Sequence, residues 1–186
     1  MKVYENNIYK DSICAAANSS LPWDKLYKKN ILIAGATGLI GRCLVDILMQ
    51  KNRQEGLASH IYALSRSAEY AHKVFPADYF AEKEFTVVEH NVQNPLKLET
   101  IAELDYVFHL ASNTHPIAYA TEPIETIITN IYGTKNLLDF CVQHHTKRFV
   151  FLSSVEVYGE NRGDVARFDE EYTGYLNANT LRAGYP

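Results

Sequence analysis

"NILIAGATGLIG", Asn30 to Gly41, decides how the rest of the chain is read. Its first half is a short apolar run ending at Gly35, the profile of a strand buried on both faces. After it Leu39, Ile40, Leu44, Ile47 and Leu48 recur at helical spacing, and the segment closes with Lys51 and Arg53, cations suited to a helix C-terminus. Gly35, Gly38 and Gly41 therefore fall at a strand-to-helix turn. Such a turn can hold a diphosphate, because the first helical N–H groups lack intrahelical partners and the helix dipole is positive there. Glycine is needed where a side chain would block the diphosphate or the packing of helix on strand. The spacing is G-x-x-G-x-x-G, not the G-x-G-x-x-G of the general dinucleotide fingerprint. A tight turn with no ligand is the competing reading. Its place after the first buried strand favours a cofactor, held by the three glycines with Thr37, Leu39 and Ile40.

Working outward, "IYALS" (61–65), "FTVVE" (85–89), "YVFHLA" (106–111) and "RFVFLSS" (148–154) are four more strand candidates. Before the last comes a helical stretch with Pro123 in its first turn. Its apolar face is expected to comprise Ile124, Ile127, Ile128, Ile131, Leu138 and Cys141 or Val142. Strands spaced by helices predict an α/β fold, a Rossmann-type doubly wound parallel sheet with helices on both faces. Two domain segments are expected: a helical extension over 1–29 and a cofactor-binding domain over 30–186. In the extension, a helix around Tyr4 to Ala17 precedes a turn that Ser20 caps, with Pro22 at its first position. From Gly159 to Gly184 the chain reads as a long surface loop.

The totals exclude several classes. The 186 residues carry a formal charge of −4, and Lys and Arg gather on no one segment, so nucleic acid is not an expected partner. The longest apolar run is broken by three glycines and is too short to span a bilayer, and the N-terminus has no signal-peptide core, so no membrane association is expected. Cys14, Cys43 and Cys141 are odd in number and far apart, which points to reduced thiols in a cytoplasmic protein. Cys141, His144 and His145 invite a zinc reading, but no second ligand pair is in view. At a helix end they complement the dipole, and no metal is expected. His109, at the end of a buried strand, reads as a hydrogen-bonded structural residue.

The end of the second strand should select the cofactor. An acidic residue there would accept from the ribose 2′-hydroxyl of NAD. This chain has Ser65 and Arg66. A hydroxyl does not repel a 2′-phosphate and a guanidinium pairs with it, so NADP is tolerated or preferred over NAD. The rival reading of Arg66 is a solvated strand-end charge stacked on adenine.

"GATGLIG", "HLAS" (109–112), "TNIYGT" (129–134) and "SSVEVYG" (153–159), in this order, make the chain resemble the extended short-chain dehydrogenase/reductase family. The branch it resembles is that of the nucleotide-sugar epimerases, dehydratases and decarboxylases. The resemblance covers roughly residues 30–186, and four motifs in register are far more specific than one. It implies NAD or NADP across the strand-order reversal, a nucleotide-sugar substrate, and the homodimer common in the family. Asn91 and Val92 would lie near the adenine, and Leu110, Ala111 and Ser112 would line the cofactor farther along. Asn130 and Ser153, within two of the motifs, complete that set. Ser154 matches the family's Ser/Thr that hydrogen-bonds the substrate hydroxyl, and Tyr185 matches the tyrosine that opens Y-x-x-x-K. No lysine follows Lys147, so the motif is expected to be cut after Pro186 and the C-terminal substrate region to be absent.

The resemblance also implies the chemistry. A sugar hydroxyl, usually at C4, is oxidised with hydride passing to the nicotinamide, and a base removes the hydroxyl proton. Tyrosine, with a pKa of about 10, needs a neighbouring cation to serve. Without the lysine these 186 residues are expected to bind NAD(P) without turnover. Glu156 follows Ser154 by two. The 4,6-dehydratases carry Asp-Glu there, whereas Val155 takes the aspartate position here. The UDP-glucuronate decarboxylases carry Ser-Glu, and Pro116, Tyr119 and Pro123-Ile124 also resemble that branch. The plainer role for Glu156 is a loop carboxylate capping nearby amides. The leading expectation is a 4,6-dehydratase or epimerase type of enzyme. UDP-glucuronate decarboxylation is the alternative, and a non-catalytic NAD(P) sensor is the alternative from another class.

Overall fold

The computed structural model describes residues 3–98, 101, 103–113 and 116–179. Tyr185 lies outside them. The first strand, β1 (Asn30–Ala34), explains the rest of the sheet, because Ile31, Leu32, Ile33 and Ala34 are all fully buried. Alternate residues of a strand face opposite sides. Ile31 and Ile33 accordingly join one core and Leu32 and Ala34 the other. Around β1 stand β2 (His60–Ser65), β3 (Phe85–Glu89), β4 (Tyr106–His109) and β5 (Arg148–Phe151). The order is β3-β2-β1-β4-β5 and every pairing is parallel. The chain thus moves outward from β1 to β3, then returns to the other side of β1, so the carboxyl ends of β1 and β4 diverge into a crevice. That is the strand-order reversal at which open α/β sheets bind ligands.

On one face lie α2 (Leu39–Glu55), through Val45, Leu48 and Met49, and α3 (Ala68–Val74), through Ala71 and Val74. On the other lies α5 (Pro123–Gln143), through Leu137, Phe140 and Cys141, preceded by the short α4 (Pro116–Thr121). Pro123 stands in the first turn of α5 as expected. Its burial differs from expectation. Ile124, Ile127, Ile131, Leu138 and Val142 are exposed; of the expected face Cys141 is buried, together with Thr126, Gly133, Asn136, Leu137 and Phe140, which were not expected. Hydrophobic spacing counts apolar residues, and this helix has an apolar stripe on a second face. The sheet-facing side is chosen by close approach and hydrogen bonding: Asn136 Nδ2 donates to Val92 O at 2.9 Å. A Cβ on Gly133 would stand 3.0 Å from Val92 Cγ2.

The N-terminal residues form α1 (Asn7–Ala17), capped by Asn6, whose Oδ1 accepts from Ile8 N and Tyr9 N. It lies on α2 with Ile13 and Ala17 buried, and the Tyr9 hydroxyl donates to Asp46 Oδ2 at 2.5 Å. Burial is the first cause that pushes Asp46 above the usual carboxylate range. The following 3-10 turn, Trp23–Leu26, departs from expectation. Pro22 is its N-cap and no side chain caps it, so Ser20 does not take that role. The turn is tied down by Trp23 Nε1, which donates to Ser19 O at 2.9 Å. Beyond β5 the loop closes on itself by an antiparallel bridge between Glu160 and Tyr175, with Phe168 stacked on Tyr172.

Candidate cofactor groove

Gly35 leaves β1 at φ +81°, a left-handed conformation that favours glycine, and a Cβ there would meet Leu110 C at 2.8 Å. Gly41 is needed for another reason: a Cβ would stand 2.2 Å from Gly35 O. Glycine at both places lets the turn fold tightly against β4 and the first turn of α2. Gly38 is the N-cap and no side chain caps it. Gly38 N donates back to Gly35 O, and the ladder begins with Arg42 N donating to Gly38 O. The amides of Leu39, Ile40 and Gly41 are thus the unpartnered donors of a helix start. They open into a groove of about 540 Å³, within the range of ligand sites.

Of the residues expected to hold a cofactor, the groove is lined by Gly35, Thr37, Gly38, Leu39, Ile40, Gly41, Ser65, Arg66, Asn91, Val92, Leu110, Ala111 and Ser112. Asn130 and Ser153 are not on its wall. Asn130 stands behind it, where its Oδ1 accepts from the Ser112 hydroxyl at 2.8 Å. Ser153 and Ser154 follow Leu152, which does line the groove. Ser154 Oγ accepts from Glu156 N at 3.3 Å and caps the short turn Val155–Tyr158. The structure therefore brings Ser154 and Glu156 together at the groove's β5 end, while neither is part of its wall.

At the other end, the Ser65 hydroxyl donates to Ser67 O at 3.0 Å and accepts from Ser67 N at 3.3 Å. With 5% of its surface exposed, Ser65 shapes the turn into α3 more than it meets solvent. Glu89 is engaged with the Ala68 amide. That leaves Arg66, exposed and on the groove wall, as the charged group at this end. The loop after β3 is held by α5: Gln93 Nε2 donates to Thr129 Oγ1 at 2.8 Å and to Glu125 Oε2 at 3.1 Å. Sequence reading missed Leu64, Tyr70, His90, Gln93, Asn113, Thr129 and Leu152 on the wall. Tyr70 had a faint signal, one turn into the helix after Ser65. Thr129 opens the TNIYGT motif, but Gln93 had no signal, since only the packing of α5 joins the two. Among the described residues, no three His, Cys, Asp or Glu side chains are grouped to hold a metal ion. Among them, too, no helix is long and apolar enough to cross a membrane.

A cofactor fits this groove by an observation on the chain itself: its floor is a glycine turn in which two absent Cβ atoms would collide with backbone, under a helix start that no side chain caps. Residues 31–185 match the NAD dependent epimerase/dehydratase family. The chain belongs to that family. It is 32% identical over 169 residues to UDP-glucuronic acid decarboxylase 6 of Arabidopsis thaliana, covering 90% of this chain and 46% of that protein. It is also 32% identical to UDP-glucuronic acid decarboxylase 1 of Xenopus tropicalis, covering 85% of this chain and 34% of that one. The chain spans about half the length, or less, of these relatives. Among solved structures it resembles a UDP-galactose 4-epimerase at 25% identity and TM-score 0.61, covering 83% of this chain and 48% of that one. A UDP-N-acetylglucosamine 4-epimerase from Methanobrevibacter ruminantium M1 shares the fold at TM-score 0.66 and 23% identity, covering 85% of this chain and 47% of that one. Family membership makes this an NAD-dependent type of domain with a Rossmann-like sheet.

Proposed function

We propose that this chain is the cofactor-holding portion of a nucleotide-sugar-modifying enzyme whose reaction begins with oxidation at the sugar's C4. The observation that carries the reading is the uncapped start of α2 opening into a groove that runs to Leu152, next to Ser153 and Ser154. NAD, when bound, supplies the acceptor for the sugar's hydride. The amides at Leu39, Ile40 and Gly41 donate to its diphosphate, where the dipole of α2 also favours negative charge. Asn91 and Val92 border the adenine end, and Leu110, Ala111 and Ser112 the opposite end. Ser154 orients the sugar hydroxyl and Tyr185 removes its proton. Arg66 is the group that would pair with a 2′-phosphate, so NADP enters as well as NAD.

Among the branch chemistries, UDP-glucuronate decarboxylation is favoured over the 4,6-dehydratase and epimerase types. Both relatives named above are decarboxylases, and Val155 stands where a dehydratase would need an acid. Once C4 is a ketone, the bond from C5 to its carboxylate can break, with its electron pair delocalised into the C4 carbonyl. No acid at Val155 is needed for that step. The exposed apolar stripe Ile124, Ile127, Ile131, Leu138 and Val142 supports a homodimer through α5.

Calorimetric titration of the 186-residue chain is expected to show binding of both NAD and NADP. NAD bound about tenfold tighter than NADP sinks the part given to Arg66. Binding of neither sinks the cofactor reading. NMR of the products formed by the whole protein from UDP-glucuronate and from dTDP-glucose decides the reaction, with a pentose nucleotide expected from the first.

A further inference from the structure

We propose that His109 is a positioning residue: fixed with its proton on Nε2, it anchors Thr134 and Asn130 of α5 so that Ser112 presents oxygen lone pairs, not a proton, to the ligand in the groove. The inference rests on the reading that this groove holds NAD.

The protons can be assigned in sequence. Thr134 Oγ1 lies 2.6 Å from Asn130 O, a carbonyl that can only accept, so the single hydroxyl proton points there. Thr134 is then an acceptor toward His109, whose Nε2 lies 3.1 Å away, and Nε2 must carry the ring proton. Nδ1 is left bare, and it is buried with no hydrogen-bond partner. A second ring proton would have to sit on that nitrogen, in a residue 1% exposed and beside the rings of Phe149 and Phe151. Burial accordingly pushes the pKa down to about 4, and the ring stays neutral.

The anchored carbonyl belongs to the residue that holds Ser112. The Ser112 hydroxyl donates its one proton to Asn130 Oδ1 at 2.8 Å. What it can offer a ligand is therefore acceptance, which suits a ribose hydroxyl or a carboxamide N–H and disfavours a bare acceptor. Gly133 lets α5 approach this closely, since its Cβ would stand 3.8 Å from His109 Nε2 and 3.0 Å from Val92 Cγ2.

Long-range 1H–15N NMR of the 186-residue chain tests the first step. The expected spectrum has a proton on His109 Nε2 and none on Nδ1, unchanged from about pH 5.5 to about pH 8. The opposite tautomer, or a His109 titration near its ordinary value, overturns the proposal. Three variants test the second step. His109→Gln keeps an N–H near the Nε2 position, His109→Phe keeps a ring without a donor, and Thr134→Val keeps the shape without the hydroxyl. The Asn130 side-chain amide and the Ser112 backbone signals are expected to shift with Phe and Val and to hold with Gln. NAD affinity is expected to fall about tenfold with Phe and Val and less than about threefold with Gln. Equal effects of Gln and Phe, or no effect of any variant on those signals, overturn it. If the unmodified chain takes up no NAD while the NMR signals behave as stated, the cofactor reading fails and the His109 anchor stands.

Discussion

The two edges of the sheet are both single strands with one neighbour, yet β3 buries Phe85 and Val88 while β5 leaves Val150 and Phe151 at 36% and 51% exposure, and Leu152 just after it at 48%. At the β3 edge one face is closed by Phe75, Tyr79 and Phe80, whose rings pack around Phe85. The other face is closed by Val92, Leu96, Ile101 and Leu104, which join Val88 in the second core. At the β5 edge Phe149 is half-buried and the rest of the strand is surface. The end of the groove near Ser65 and Arg66 therefore rests on a finished core, and the end where Ser154 and Glu156 emerge rests on an exposed strand. Damage on the first side should cost both stability and cofactor affinity, and damage on the second side should cost neither by much.

Gly41→Ala is the largest test of that contrast. Its Cβ would stand 2.2 Å from Gly35 O, so the backbone must move. We expect about 3 kcal/mol of destabilisation and loss of measurable NAD binding, read by thermal denaturation and calorimetry. An unchanged affinity would remove the glycine turn from the site. Lowering the pH tests the junction between the two sides. His109 is held down to about 4 from 6.5, so between those values the unfolded chain takes up a proton that the folded chain refuses. Its contribution to stability therefore falls as pH drops through that window, by up to about 3 kcal/mol. Urea titrations over that range should show a shallower pH slope in His109→Gln than in the unmodified chain.

Arg66→Glu should act at the adenine end alone. We expect NADP affinity to fall about tenfold or more relative to NAD, with thermal stability unchanged, since Arg66 is an exposed groove residue. Equal losses for both cofactors would favour stacking on adenine over charge pairing. The smallest effect is expected beyond β5. In Gly174→Ala the new Cβ would meet Glu160 O at 2.2 Å and strain the bridge to Tyr175. Proteolysis between residues 159 and 175 should quicken, with a global cost of at most about 1 kcal/mol and NAD affinity unchanged.

The glycine turn, the strand sites and the parallel α/β order were legible because each depends on local chemistry: an apolar run long enough for a buried strand, then glycines where a helix begins. Thirteen of the fifteen cofactor-lining residues named from sequence lie on the groove wall, since motif positions fall at the carboxyl ends of strands. The misplaced face of α5 shows the boundary of that reasoning. Periodicity found its isoleucines, but the buried face includes Gly133, which lets α5 approach Val92, and Asn136, which hydrogen-bonds the Val92 carbonyl.

By itself the sequence determined where the chain must bend tightly and which helix start lacks a side-chain cap, because steric exclusion at a glycine and the orphaned amides of a first turn are properties of a few consecutive residues. Tertiary structure alone decided which face of α5 meets the sheet, that Asn130 stands behind Ser112, and which nitrogen of His109 holds the proton. Each of those depends on groups far apart in the chain coming within hydrogen-bond distance, and no spacing along the chain encodes that.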